Sequence, residues 1–330
     1  MQVLEWFESI RFPFLDAVML FLTRCGEEAL FLLLAVILFW CIDKREGYYI
    51  MMVGFFGTVL NQSLKLAFRI PRPWVRDPSF TIVERARAAA TGYSFPSGHT
   101  QIAVGTYGAL AMTVRRKWLR AVCIALAVLV PVSRMYLGVH TPLDVGVAAV
   151  LALALLLGLY PLLHTERHEK GIMAGLLAAG IALALGALLF SLLYPFPQDT
   201  DAENLLSGRE HLAELLGACV AMAIAYAVDT RYLHFETRAP WYLQIIKVAA
   251  GLVLTLGVKV ALKAPLNALF GTVLGGGIRY FFVLLVAALA WPSAFAPLCR
   301  LARRWRDRKD PPAPPADGNA SCKSAESAES

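Results

Sequence analysis

The 330 residues are 58% hydrophobic and only 17% charged, with a mean hydropathy of +0.58. A soluble domain of ordinary composition carries about 25% charged residues, and no soluble core hides this much apolar surface. Composition therefore excludes an ordinary water-soluble protein. The net charge of +7 lies mostly in short inter-span loops, so it is read as a topology signal and a match to anionic headgroups, not as nucleic-acid binding.

In chain order, residues 1–23 open with apolar positions at helical spacing, Val3, Leu4, Phe7, Ile10, Phe14, Leu15, Val18, Met19 and Leu22. Glu5 and Glu8 precede the first basic residue, Arg11, so the positive start of a signal peptide is absent. The segment reads as one or two interfacial amphipathic helices. Apolar runs follow at roughly 27–42, 47–68, 98–114, 118–138, 143–163, 171–194, 209–228, 241–262 and 276–298. Most reach the ~20 residues a spanning helix needs, which gives about eight or nine spans. The expected fold is all-α: a polytopic transmembrane bundle with a six-span core and about three extra C-terminal spans. The expected units are 1–23 interfacial, 24–163 catalytic core, 164–299 additional spans and 300–330 a basic, then disordered, cytoplasmic tail, whose prolines and small polar residues cannot bury enough surface to fold.

Charge alternates by loop. Lys44 and Arg45, then Arg115 to Arg120, Arg167 and Lys170, Arg231 and Arg238, and Arg300 to Lys309 occupy every second connection. Cationic loops stay cytoplasmic, so these do. Asp199, Asp201 and Glu203 fall on the other side. The long loop 69–97 falls there too, although it is basic, and phosphate binding would account for that. Cys25, Cys41, Cys123, Cys219, Cys299 and Cys322 have neither metal-ligand nor redox spacing and read as small buried hydrophobes.

Three clusters carry chemistry. The first holds Lys65, Arg69, Pro71, Arg72 and Pro73 at the end of the second span. The prolines stop the helix and stiffen the turn that bears Arg72. Lysine as a point charge and arginine as a planar fork both suit phosphate, although alone they also fit snorkelling anchors. The second runs from Tyr93 and Ser94 through Pro96, Ser97, Gly98 and His99 to the third span. Ser97 fits an N-cap, Gly98 allows close backbone approach, and the helix start is an anion site with His99 beside it. A capped helix that merely carries a histidine is the alternative. The third holds Ser133, Arg134, His140, Thr141, Pro142 and Asp144. Asp144 fits both a capping box and a carboxylate behind His140. The topology brings all three clusters to one membrane face.

These residues resemble the type 2 phosphatidic acid phosphatase family, whose site is shared with vanadium haloperoxidases. Lys65 to Pro73, Pro96 to His99, and Ser133 to Asp144 match its three motifs in order at eleven fixed positions, across roughly residues 45–163. The resemblance implies His140 as the nucleophile that forms a phosphohistidine and Asp144 as its orienting group. It implies His99 as the general acid, and Lys65, Arg72, Ser97, Gly98 and Arg134 as phosphate ligands. It implies no metal and no cofactor, and a site facing away from the cytoplasm. Arg69 has no family role and stands as an accessory cation. Lys259 and Lys263, one turn apart in the extra spans, suggest a flank for the path of an anionic lipid.

The expected function is a membrane lipid phosphatase hydrolysing a lipid monophosphate or diphosphate. The alternatives are a phosphotransferase using the same phosphohistidine and, from another class, a lipid transporter or binding protein. The expected partners are a lipid phosphate and the bilayer, with no nucleic acid. The expected location is a bacterial inner membrane with the site extracytoplasmic. The lipid and the oligomeric state are left open.

Overall fold

A computed structural model describes residues 1–165, 168–297 and 299. The expected C-terminal tail and the basic Arg167 lie outside the described residues. Every regular element among the described residues is helical.

Two short helices come first, α1 (Gln2–Ser9) and α2 (Pro13–Arg24), the latter opened by a proline at its first position. They lie across one end of the bundle. Leu4 is fully buried against Phe80 and Ile82. Arg11 donates to the Tyr136 and Thr81 carbonyls, and the Tyr136 hydroxyl donates to Asp16. Trp6, Phe12, Phe14 and Phe21 remain exposed, as an interfacial helix pair would leave them. The chain bends by 47° into α3 (Glu28–Ile37), which a π turn extends through Ile42.

Next comes α4 (Lys44–Phe68), capped by the Asp43 carboxylate, which accepts from the Arg45 and Glu46 amides. The helix stops at Arg69 in a left-handed conformation (φ 50°), before either proline. The prolines instead shape the segment beyond it, where Arg72 caps the single turn α5 (Pro73–Arg76). The chain then wanders to α6 (Gly98–Thr113), α7 (Lys117–Tyr136) and α8 (Pro142–Leu163). The extra helices are α9 (Glu169–Leu193), α10 (Ala202–Val228) and α11 (Trp241–Leu285).

α11 is not one rod. Gly271 takes φ 74° and ψ 174°, which is open to glycine and strained for other residues. There the chain doubles back: a Cβ on Gly275 would stand 2.7 Å from the Leu266 carbonyl, and the Trp291 indole donates to the Lys247 carbonyl. Among the described residues, six helical stretches are long and apolar enough to cross a membrane, or seven with the bent α2–α3 pair. The expectation of eight or nine counted separately the 16-residue α6 and the two arms within the 57-residue stretch Trp241–Pro297.

The end away from α1 is tied by charge. Lys44 pairs with Asp229 at 2.6 Å, His164 with Glu46 at 2.9 Å, and Arg45 donates to the Leu163 and Thr165 carbonyls. The core between the ends is aromatic and aliphatic. Trp40 is fully buried and its indole donates to the Ala287 carbonyl at 2.8 Å, joining α3 to the returning arm of α11. Small residues allow the closest crossings: Gly217 of α10 lies directly on the Gly277 carbonyl.

Candidate active site

Four helix ends meet beneath α1 and α2. The stretch after α4 is pinned to the stretch before α6, because the Ser94 amide donates to the Ile70 carbonyl at 2.8 Å. That stretch is pinned to α8, because the Ser97 amide donates to the Asp144 carbonyl at 3.1 Å. The Val83 amide bonds the Leu137 carbonyl at the end of α7. The convergence expected from loop alternation is therefore built from backbone hydrogen bonds.

A cavity of about 290 Å³ opens at this junction. Lys65, Arg72, Gly98, His99 and His140 line it. Ser97, Arg134 and Asp144 stand behind its wall, all three fully or almost fully buried.

His140 sits in the short loop between α7 and α8, 1% exposed. Its Nε2 lies 2.8 Å from Arg72 Nη1. A guanidinium only donates, so Nε2 carries the lone pair and the ring proton is on Nδ1. Burial first, then the charges of Arg72, Arg134 and Lys65, hold the His140 imidazole well below its usual pKa, in the neutral form.

Asp144 forms the expected capping box and stands near His140 without a close hydrogen bond to it. Its Oδ2 stands 3.5 Å from His140 Nδ1, beyond a good hydrogen bond, and that nitrogen has no bonded partner among the described residues. The same oxygen accepts from the Ser94 hydroxyl at 2.6 Å and the Thr141 amide at 2.8 Å, completing a capping box with Thr141. The carboxylate is positioned chiefly by the helix start and Ser94.

Carbonyls hold Arg72 and Lys65, and a hydroxyl holds Arg134. Arg72 donates to the Gly92, Thr91 and Val139 carbonyls as well as to His140. Lys65 Nζ donates to the Tyr93 carbonyl at 2.6 Å. Arg134 donates through Nη1 to Thr23 of α2 at 2.7 Å, leaving Nε and Nη2 without partners among the described residues. Ser97 caps α6, accepting from the Thr100 amide and hydroxyl. Three buried cations thus face one buried carboxylate, and the surplus favours an anion. No cluster among the described residues has a metal's ligand set.

Arg69 does not join them. It donates to the Leu66 and Ala67 carbonyls and lies over the Phe196 ring; the left-handed turn aims it back along its own helix. Lys259 and Lys263 do not line the cavity either; Lys259 lies over the Tyr280 ring. Sequence reasoning missed Ser94, which was inside a recognised cluster but was given no role, and Thr23. It also missed Asn61 and Gln101, polar residues inside apolar spans, which are costly there and could have been flagged for that reason. His211, on α10, could not have been found from local pattern.

Residues 46–168 match the PAP2 superfamily, and residues 213–304 match a second family described as PAP2 superfamily phosphatase, transmembrane extension. Undecaprenyl-diphosphatase BcrC of Bacillus subtilis (strain 168) is 33% identical over 141 residues, 42% of this chain and 70% of its own length. An undecaprenyl-diphosphatase of Sulfolobus acidocaldarius is 32% identical over 133 residues, 40% of this chain and 62% of its own. Sphingosine-1-phosphate phosphatase 1 of Mus musculus is 26% identical over 223 residues, 65% of this chain and 49% of its own. No solved structure matches. The chain belongs to the PAP2 superfamily, as an integral membrane member. Beside the PAP2 match it carries the match to the family's transmembrane extension.

Proposed function

We propose that this protein hydrolyses a lipid phosphate through a phosphohistidine on His140, with fixed cations in place of a metal. One observation carries the proposal. His99 and His140, from different helix ends, reach one cavity with Lys65 and Arg72, and the neutral Nε2 lone pair of His140 meets the guanidinium that would hold a phosphate.

A phosphate entering the cavity takes donors from Arg72 and Lys65 and from the free N–H groups at the start of α6. Drawing the Arg72 Nη1 hydrogen onto a phosphate oxygen frees the His140 lone pair. Nε2 attacks phosphorus, the bond to the lipid oxygen breaks, and His99 gives that oxygen a proton. Asp144 supports the imidazolium character that develops on His140. Water then attacks the phosphohistidine, His99 takes its proton, and phosphate leaves. The cations stabilise the charge spread over the equatorial oxygens in both steps without reorganising.

The relatives' names are those of enzymes acting on lipid phosphates or diphosphates, which supports a lipid substrate. We place the site on the extracytoplasmic face of a bacterial inner membrane, because the charged ties Lys44, Arg45 and Asp229 crowd the opposite end.

The test is phosphate release from a panel of lipid phosphates by detergent-purified protein, with chelator present, beside His140→Ala. Release that disappears in the variant is expected. Wild-type-like release in the variant sinks the mechanism. A phosphorylated acceptor appearing in place of free phosphate turns the reading to a phosphotransferase.

A further inference from the structure

The cavity is larger than a phosphate. A phosphoryl group has five heavy atoms, while a single water's share of liquid volume is about 30 Å³, so a space of about 290 Å³ has room for more. The rest of its lining is unlike the cationic part. Glu27 and Glu28 come from the bend between α2 and α3, and His211 comes from α10. Asn61 and Gln101 are 2% and 1% exposed, and each leaves its amide nitrogen without a hydrogen-bond partner among the described residues. Two unsatisfied amides this deeply buried are costly unless a ligand completes them.

The bend is seated on the acid. A Cβ on Gly26 would stand 3.0 Å from the His99 carbonyl and 3.4 Å from its Cβ, so only glycine lets residues 25–27 lie there. Glu27 and Glu28 are thereby held on the cavity wall next to His99, the proposed general acid. Asn61 reaches the other side of the cradle, with its Oδ1 3.9 Å from the position a Cβ would take on Gly98. Neither Glu27 nor Glu28 forms an ion pair among the described residues.

From this we infer that the wall formed by Glu27, Glu28, Asn61, Gln101 and His211 reads the leaving alcohol. The alcohol it fits bears an ammonium and a hydroxyl close to a single phosphate. The carboxylates meet the ammonium, and the amides and imidazole meet the hydroxyl. A second phosphate in the same place would face two carboxylates, so a diphosphate is disfavoured by repulsion as well as by lost pairing. The inference rests on the lipid-phosphatase reading and narrows its substrate to the monophosphate of an amino alcohol.

The experiment measures binding apart from turnover. In full-length protein bearing His140→Ala, the Kd of a long-chain 2-amino-alcohol 1-phosphate is compared with that of its N-acetylated form and of a polyprenyl diphosphate. The free amine is expected to bind at least about tenfold more tightly than either, a difference of about 1.4 kcal/mol. Adding Glu27→Gln and Glu28→Gln should bring the three within about threefold. A diphosphate that binds as tightly as the amine, or an acetylated ligand that loses nothing, overturns the inference. The ligand comparison decides it even if the added substitutions impair folding. Phosphate release by the unsubstituted protein is read alongside. Its absence with every lipid would refute the phosphatase reading, while the binding ratio still reports on the wall.

Discussion

Asp144 Oδ2 completes a helix cap and stands 3.5 Å from His140 Nδ1, and its structural and proposed catalytic roles can be separated by substitution. Asp144→Asn keeps an oxygen for the Thr141 amide and Ser94 hydroxyl, so α8 should stay capped while the charge behind His140 is lost. The expected result is a fall in kcat of roughly 10²-fold or more with little change in thermal unfolding, in line with the loss seen when the carboxylate of a catalytic histidine pair is neutralised. Ser94→Ala removes one hydrogen bond to a buried carboxylate and should cost about 1.5–3 kcal/mol of stability. A fully active Asp144→Asn would show that the carboxylate serves the helix alone. The pH profile tests His140 itself. Only the neutral imidazole can attack, and its pKa is held well below 6.5 by burial and by Arg72, Arg134 and Lys65. Corrected for the substrate's own ionisation, the acid limb of kcat/KM, which reports the base His140, should show no decline near 6.5 and fall only well below it, while the general acid His99 sets the alkaline limb. An acid-limb midpoint near 6.5 would mean that these cations do not act on His140. That the eight proposed site residues gather at one junction was legible in the sequence, because each lies at or beside a helix end on one side of the bundle; their roles came from the family resemblance. Ser94 and Thr23 were not, because a hydroxyl is ordinary in either place and gains its meaning from a partner far along the chain.

At the scale of elements, the extra helices are joined by the absence of side chains. A Cβ on Gly217 would stand 2.0 Å from the Gly277 carbonyl, and one on Gly277 would stand 2.9 Å from the Ala213 carbonyl. α10 and the returning arm of α11 therefore touch backbone to backbone, with Arg279 paired to Glu214 at 2.6 Å beside the contact. Within lipid such packing replaces the hydrophobic drive that would join helices in water. Gly217→Leu has no flexible neighbour to displace and should destabilise by about 1–3 kcal/mol or more. This would be read as a lower unfolding temperature in detergent, and an unchanged temperature would argue that the two helices are not held at this distance. Hydropathy separated the runs 241–262 and 276–298, but did not mark Gly271 as the residue between them that turns the chain. One glycine in a run of apolar residues leaves no signal until its φ is seen.

For the molecule as a whole, charge asymmetry and site position make one statement about orientation. The site end carries the loop with exposed Ser79 and Arg87, while the opposite end carries Lys44, Arg45 and His164. In a cysteine-free background, Ser79→Cys should react with a membrane-impermeant maleimide on intact cells, and Glu169→Cys only after lysis. The reverse pattern would put the site in the cytoplasm. The N-terminal pair α1 and α2 extends the same end: it supplies Thr23 to Arg134 and packs Leu4 under the 69–97 loop. The N-terminal pair thus braces the site from behind without lining the cavity, a role its amphipathic pattern alone did not suggest.

The sequence by itself determined the medium and the helical class, and it marked the residues to which the proposed reaction is assigned. Apolar run length dictates what crosses a bilayer, and proline, capping residues and paired histidines mark helix ends locally. The tertiary structure alone decided which oxygen Asp144 shares, which carbonyls hold Arg72, where α11 turns, and that Glu27, Glu28 and His211 border the same cavity as His140. The reason is physical. In lipid an apolar face is equally content against a tail or a neighbouring helix, so hydropathy does not encode which faces meet. That choice is made by close-packed small residues and by buried polar groups seeking partners a hundred residues or more away, as Arg134 finds Thr23 and Trp40 finds Ala287.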